Sequence, residues 1–179
     1  MLGRQLADPS LRRHAERAAA EGHWIGNHTF SHSPSLGDYR DLDASIEDVR
    51  RAQALIGELA HPDRLFRPYA NSGVLDRRVF NRRVIEYLEA ERFTVVLWNA
   101  VPRDWQTSAW VDIALEQCRA HAWSLLVLHD QFGRCLPGLE RFLPTVRDAG
   151  ATFRQDFPPE CLVMRRGQPT GALEPLIAS

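Results

Sequence analysis

The chain has 179 residues, of which 44% are hydrophobic and 25% are charged, and its formal net charge is −1 at pH 7. This composition is typical of a single globular domain with a sizeable core. The small net charge and the lack of a long apolar run argue against nucleic acid or a membrane as partner. Cys118, Cys135 and Cys161 are too widely spaced for a disulfide framework or a zinc knuckle, and they favour core thiols in a reducing compartment.

Helical and strand-like patterns alternate along the first half of the chain. A helix is predicted over residues 9–21, with Asp8 as its N-cap. Residues 24–25 indicate a short buried strand, and the longest helix is predicted over 43–59, where apolar residues repeat with a 3.6-residue period.

The same alternation continues in the second half. The predicted elements there are helices over 76–90, 108–121 and 139–149 and strands over 93–98, 124–128, 151–153 and 161–164. Buried strands that alternate with amphipathic helices indicate an α/β fold with a parallel sheet or barrel. The segment 165–179, which contains Gly and Pro, is predicted to be a peripheral or disordered tail, so the domain is expected to span 1–164.

Two histidines stand out directly after the first predicted strand. His28 and His32 are four residues apart in the segment HTFSH. On a helical turn this spacing places both imidazoles on one side, where they can reach one divalent metal. Spacing alone is a weak indication, but loops at strand ends commonly hold the site residues of α/β folds. The nearby His23 fits a buried hydrogen-bonding residue better than a third ligand.

Three further polar residues follow strand-like runs. Arg67, Asp104 and His129 each come directly after such a run, so parallel strands would gather them at one rim of the sheet. Each also has a purely structural interpretation. Arg67 would be an ordinary surface arginine, Asp104 a turn residue after Pro102, and His129 a cap on its strand.

Taken in order, four segments resemble the polysaccharide deacetylase family, carbohydrate esterase family 4. GHWIGNHTFSH at 22–32 is similar to the family's second motif, and FRPY at 66–69 to its third with one proline missing. DW at 104–105 and LVLHD at 126–130 resemble the fourth and fifth motifs. The resemblance covers roughly residues 2–149, and it implies a metal-dependent N-deacetylase with a (β/α) barrel.

The resemblance also implies a role for each matching residue. His28 and His32 would bind zinc or another divalent metal, and Arg67 would hold a catalytic carboxylate in place. The remaining roles concern the substrate. Tyr69 would offer its backbone N–H to the oxyanion, and Trp105 would line the pocket for the acyl group. His129 would protonate the leaving amine, and Asp104 would orient His129.

This chemistry suits amide hydrolysis, which needs a polarised carbonyl, an activated water and a protonated leaving amine. The implied substrate is an N-acetylated saccharide. Two alternatives remain open at this point: a small cyclic amide as substrate, and a non-catalytic protein that binds glycan.

The family's first motif, a strand that ends in Thr-Phe-Asp-Asp-Gly, has no counterpart, because the chain contains no Asp-Asp pair. Those carboxylates would supply the general base and the third metal ligand. Asp38, Asp112 and Asp130 are the remaining candidates for the third ligand. Residues 1–4 resemble the end of the family's second strand. The expected fold is therefore an incomplete (β/α) barrel that lacks its first strand and helix. In this hypothesis the chain is truncated, and any export signal would lie upstream of Met1.

Overall fold

The computed structural model describes residues 1–130 and 135–178 and divides the chain into two units. The first unit comprises Met1–Leu97 with Leu162–Ser179, and the second comprises Trp98–Cys161. Among the described residues, no helix is both long and apolar enough to cross a membrane. The expected domain boundary at residue 164 stays a prediction.

Side chains cap the start of three of the four α-helices described in the first unit. These helices are α1 (Gly3–Leu6), α2 (Pro9–Ala20), α3 (Leu42–Ile56) and α4 (Arg82–Ala90). Asp8 accepts from the Ser10 N–H at the start of α2, which confirms the expected cap. Helix α4 is shorter than the sequence indicates because Asn81 caps it by accepting from the Val84 N–H. Helix α3 ends at Gly57, whose φ of +54° lies in the left-handed region that favours glycine.

The sheet of the first unit joins four strands in the order β1 (Leu65–Phe66), β2 (Thr94–Val96), β3 (Leu162–Arg165) and β4 (Gln168–Pro169). β1 and β2 are parallel, as predicted. β2 and β3 are antiparallel, and so are β3 and β4, so the sheet is mixed and the expected parallel pairing holds only for β1 and β2. The predicted strand at 24–25 is reduced to isolated parallel bridges, in which Ile25 pairs with Ala60 and Asn27 with Phe66.

Residues 1–4 pair with the loop that carries the two histidines. The His28 N–H donates to the Met1 carbonyl (3.0 Å), and the Gly3 N–H donates to the Thr29 carbonyl (2.9 Å). The chain then enters α1 at Gly3 instead of completing a strand.

Residues 165–178 do not form a disordered or peripheral tail. Leu173, Leu176 and Ile177 are buried, and the Phe80 N–H donates to the Leu176 carbonyl at 2.9 Å. The sequence pattern misses this because the apolar residues occur among Gly and Pro without a helical or strand period.

The second unit is built on α5 (Trp110–Ala120) and α6 (Cys135–Asp148), which pack through Trp110, Ala114, Phe142 and Val146. The predicted strand over 124–128 is a single bridge between Leu126 and Ala100. The predicted strand over 151–153 does not form, and Phe153 is exposed.

Gly37 packs against backbone of the first unit. A Cβ there would lie 2.7 Å from the Arg78 carbonyl oxygen and 2.8 Å from that of Phe80. Backbone cannot move aside as a flexible side chain can, so we expect Gly37→Ala to lower the free energy of unfolding by about 1–3 kcal/mol. Urea denaturation checks this against Gly171→Ala, whose Cβ would find its nearest neighbour at an ordinary 3.6 Å. Equal midpoints for the two variants would contradict the expectation.

Candidate functional site

The rings of His28 and His32 face each other. Their Nε2 atoms are 3.1 Å apart, and their planes meet at 72°. The His28 Nδ1 lies 2.7 Å from the Arg67 carbonyl oxygen. Because a carbonyl only accepts, we assign the proton of His28 to Nδ1, which leaves the lone pair of Nε2 directed toward His32.

The loop that carries the two histidines is not a helical turn, so that part of the prediction was wrong. Thr29 and His32 have φ values of +60° and +59°, in the left-handed region. Two local hydrogen bonds hold this shape: the Thr29 N–H donates to Asn27 Oδ1 (2.9 Å), and the His32 N–H donates to Thr29 Oγ1 (3.1 Å). A left-handed conformation costs a residue other than glycine about 1–3 kcal/mol. The rings therefore converge because a strained loop is held in place.

Two buried polar residues hold this loop against α3, and neither was identified from the sequence. Asn27 is 1% exposed, and its Nδ2 donates to the Val49 carbonyl at 2.9 Å. Asp48, on α3, accepts from the Ser31 N–H (3.0 Å) and from the Ser31 hydroxyl (3.1 Å). The signal available in the sequence is that Asp48 is an acidic residue within the buried face of α3.

The surroundings of His28 favour its neutral form. Burial, followed by the positive charge of Arg67, holds the pKa of His28 well below its ordinary value. Neutral imidazole is the form that donates a lone pair to a metal.

The His28–His32 pair fits a divalent metal as two of its ligands. The facing Nε2 atoms are the donors, and the Arg67 carbonyl orients His28 in the way that supporting groups hold metal-binding histidines. Catalytic zinc sites generally use three protein ligands. In the part of the chain that the structure describes, no three His, Cys, Asp or Glu side chains form a group that could hold an ion, so Asp38, Asp112 and Asp130 do not complete the set.

Arg67 and Tyr69 lie beside the histidine pair. The Tyr69 ring packs on His32 with centroids 4.4 Å apart, and no described group accepts from the Tyr69 backbone N–H. Arg67 is half-buried, and desolvation of its guanidinium lowers its pKa to about 10. Its guanidinium forms no ion pair with any carboxylate in residues 1–130 or 135–178. The first unit thus provides a cation with no acidic partner in the described chain, next to two metal-competent imidazoles.

The second unit brings Asp104 and His129 together, as the sequence led us to expect. Asp104 is 1% exposed and accepts twice from His129, through Nδ1 at 2.9 Å and through the backbone N–H at 2.7 Å. The bridge between Ala100 and Leu126 aligns the two segments that lead to these residues. The carboxylate therefore fixes the proton of His129 on Nδ1 and leaves Nε2 as the atom that exchanges protons.

Two other residues shape this part of the second unit. The Trp105 ring packs edge-on against His129, with centroids 4.6 Å apart and a 74° angle between the planes. Asn99, which the sequence did not single out, donates to the Trp123 carbonyl (3.0 Å) and accepts from the Leu125 N–H (2.7 Å). Asn99 thereby joins the two backbone segments ahead of the Asp104–His129 pair.

Comparisons with known proteins bear on these arrangements. No family model matches the chain. The chain is 25% identical over 146 residues to the peptidoglycan-N-acetylglucosamine deacetylase of Bacillus cereus, covering 77% of this chain and 49% of that protein. It therefore spans about half the length of the curated relative that it matches.

Solved structures share the fold. A family 4 carbohydrate esterase from Streptomyces lividans, solved with acetate, superposes with a TM-score of 0.69 at 21% identity, covering 90% of this chain and 79% of that one. A family 4 pseudoenzyme from Bacillus anthracis superposes with a TM-score of 0.65 at 16% identity, covering 84% of this chain and 50% of that one.

These neighbours confirm the α/β class, and the partial sheet is consistent with the expected incomplete barrel. The curated relative adds similarity in sequence over most of the chain. The motifs, the fold and this similarity agree that the chain resembles the polysaccharide deacetylases of carbohydrate esterase family 4.

Proposed function

We propose that this protein is a metal-dependent hydrolase of carbon–nitrogen amide bonds that removes acetyl groups from N-acetylated saccharides. The observation that carries the proposal is the facing of the His28 and His32 Nε2 atoms at 3.1 Å, with the His28 proton held on the opposite side of its ring. The name of the relative from Bacillus cereus supports the class of substrate.

His28 and His32 would hold the divalent metal, zinc or a similar ion. Such an ion supplies an activated water and polarises the amide carbonyl. The Tyr69 backbone N–H is a donor for the oxygen on which negative charge develops. Its lack of an acceptor among the described residues leaves it available for that role.

The Asp104–His129 pair would deliver the proton that an amine needs in order to leave. Asp104 holds His129 by Nδ1 and by its backbone N–H, so the ring cannot turn away. When His129 is doubly protonated, its Nε2–H can be donated to the amine nitrogen, and the buried carboxylate stabilises the positive charge of the ring. Trp105, packed against His129, would contact the acyl methyl group.

A complete reaction needs a carboxylate base and a third metal ligand. No group of side chains in the described residues supplies that third ligand, and the sequence lacks the Asp-Asp pair that carries both roles in the family's first motif. This observation favours a second candidate function, in which the protein binds saccharide without hydrolysing it. The same fold occurs in the Bacillus anthracis protein, which is described as a pseudoenzyme of carbohydrate esterase family 4.

Acetate release from N-acetylated chitooligosaccharide separates the two candidates. We expect release that requires added Zn²⁺ or Co²⁺ and that disappears in His129→Ala. If the metal binds and no acetate appears, the non-catalytic function is supported. A cyclic ureide assayed in parallel identifies a small-amide hydrolase, because only that substrate would then be consumed.

A further inference from the structure

We propose that Asp48 is a positioning residue that holds His28 and His32 in register for a shared ion. It is neither a metal ligand nor a group that contacts substrate. The inference rests on the proposed function, since it concerns the site in which that function begins.

The carboxylate and the backbone carbonyl of Asp48 both accept hydrogen bonds from the short segment between the two histidines. Its Oδ1 accepts from the Ser31 N–H at 3.0 Å and its Oδ2 from the Ser31 hydroxyl at 3.1 Å. Its own backbone carbonyl accepts from the Phe30 N–H at 3.0 Å. One residue of a regular helix therefore fixes two consecutive residues of the loop.

This loop needs such a support. Thr29 and His32, which flank the fixed segment, are both in the left-handed region, and Thr29 is a β-branched residue for which that conformation is especially unfavourable. Such conformations persist only where the surrounding structure determines them. Without Asp48 the loop is free to relax, and the His32 ring would move away from His28.

The surroundings of Asp48 point to positioning and not to ordinary packing. The carboxylate is buried, although most carboxylates are exposed unless they are paired. Its described side-chain partners are the Ser31 amide and hydroxyl, and the Tyr39 hydroxyl lies 3.3 Å from the same Ser31 Oγ. No described Arg, Lys or His forms an ion pair with Asp48. The buried carboxylate is thus satisfied by hydrogen bonds from the loop.

The test measures metal affinity, ring geometry and thermal stability in parallel. The variants are Asp48→Ala, Asp48→Asn and Ser31→Ala, with the double variant of Asp48 and Ser31. The matched control is Ser45→Ala. Ser45 lies on the same buried face of α3 and bonds to the Leu42 carbonyl and to Asn81, away from the loop.

We expect Asp48→Ala to weaken Zn²⁺ or Co²⁺ binding by about 10- to 100-fold, as loss of a group that supports metal ligands does. Asp48→Asn keeps one acceptor and should fall between Asp48→Ala and the wild type. The losses from Asp48→Ala and Ser31→Ala should combine to less than their sum, because both remove the contact between the Ser31 hydroxyl and Asp48 Oδ2. Ser45→Ala should lower the thermal midpoint yet bind metal as the wild type does.

Ring geometry gives a readout that needs no metal. The wild-type protein should show a nuclear Overhauser effect between the His28 and His32 rings, and Asp48→Ala should lose it. If the alanine variant does not fold, Asp48→Asn and Ser31→Ala should each show a weaker effect than the wild type. A retained effect together with wild-type affinity would overturn the inference. If the wild type binds no metal, the proposed function fails. The nuclear Overhauser effect between the His28 and His32 rings, and its loss in Asp48→Ala, then decides the role of Asp48 without metal.

Discussion

Replacing His28 by alanine is expected to abolish the binding of one divalent metal ion per chain. Its Nε2 faces that of His32 at 3.1 Å, and in the described residues no other His, Cys, Asp or Glu joins the pair as a third ligand. A single imidazole that remains after the substitution cannot hold zinc against water, because a stable zinc site needs several protein donors. His32→Ala should have the same effect.

Elemental analysis after exhaustive dialysis, with a cobalt titration followed in the visible range, measures this loss. His14→Ala is the matched control, since it removes an exposed imidazole from α2 and leaves the loop unchanged. Stoichiometric metal in the His28→Ala protein would show that the ion is bound elsewhere.

The second large effect concerns Asp104→Asn. The aspartate accepts from both His129 Nδ1 and the His129 backbone N–H. Asparagine has one oxygen and one NH₂ group, so its NH₂ group must face one of these two N–H donors and cannot accept from it. The least costly response is for His129 to accept through Nδ1 and carry its proton on Nε2. The ring then has no carboxylate to stabilise its doubly protonated form, and it ceases to be an effective acid.

We therefore expect acetate release to fall by about 10²- to 10⁴-fold, the usual contribution of general acid–base catalysis. Nitrogen-15 spectra of the imidazole should show the change of tautomer whether or not the protein turns over. Metal stoichiometry should stay at the wild-type value, because the metal ligands are separate residues. An unchanged tautomer combined with unchanged turnover would remove Asp104 from the mechanism.

The sequence predicted that the site residues gather where strand-like runs end, but it did not predict which contacts hold them there. His28 with Arg67, and Asp104 with His129, were expected from their positions after strand-like runs, and short backbone bridges bring each pair together. The convergence of His28 and His32 was expected from helical geometry and is instead produced by left-handed residues. Local propensity does not encode that conformation, since a partner distant in sequence imposes it.

That partner explains why Asp48 was missed. On the sequence it is one of several acidic residues on an amphipathic helix, where a solvated side chain is the usual outcome. Its burial depends on the packing of α3 against the loop, which a periodic pattern does not reveal. Strands were predicted to be longer than they are for a related reason. An apolar run such as 124–128 indicates burial, but a strand also needs a neighbouring backbone to pair with, and here only Leu126 pairs, with Ala100.

X-ray absorption at the zinc edge of the zinc-loaded protein tests the metal site most directly. We expect two imidazole nitrogens at about 2.0–2.1 Å from the ion, with oxygen atoms in the rest of its coordination shell. The imidazole signal should vanish in the double variant of His28 and His32. A shell without imidazole nitrogens, or one with sulfur at about 2.3 Å, would contradict the assignment of the metal to His28 and His32.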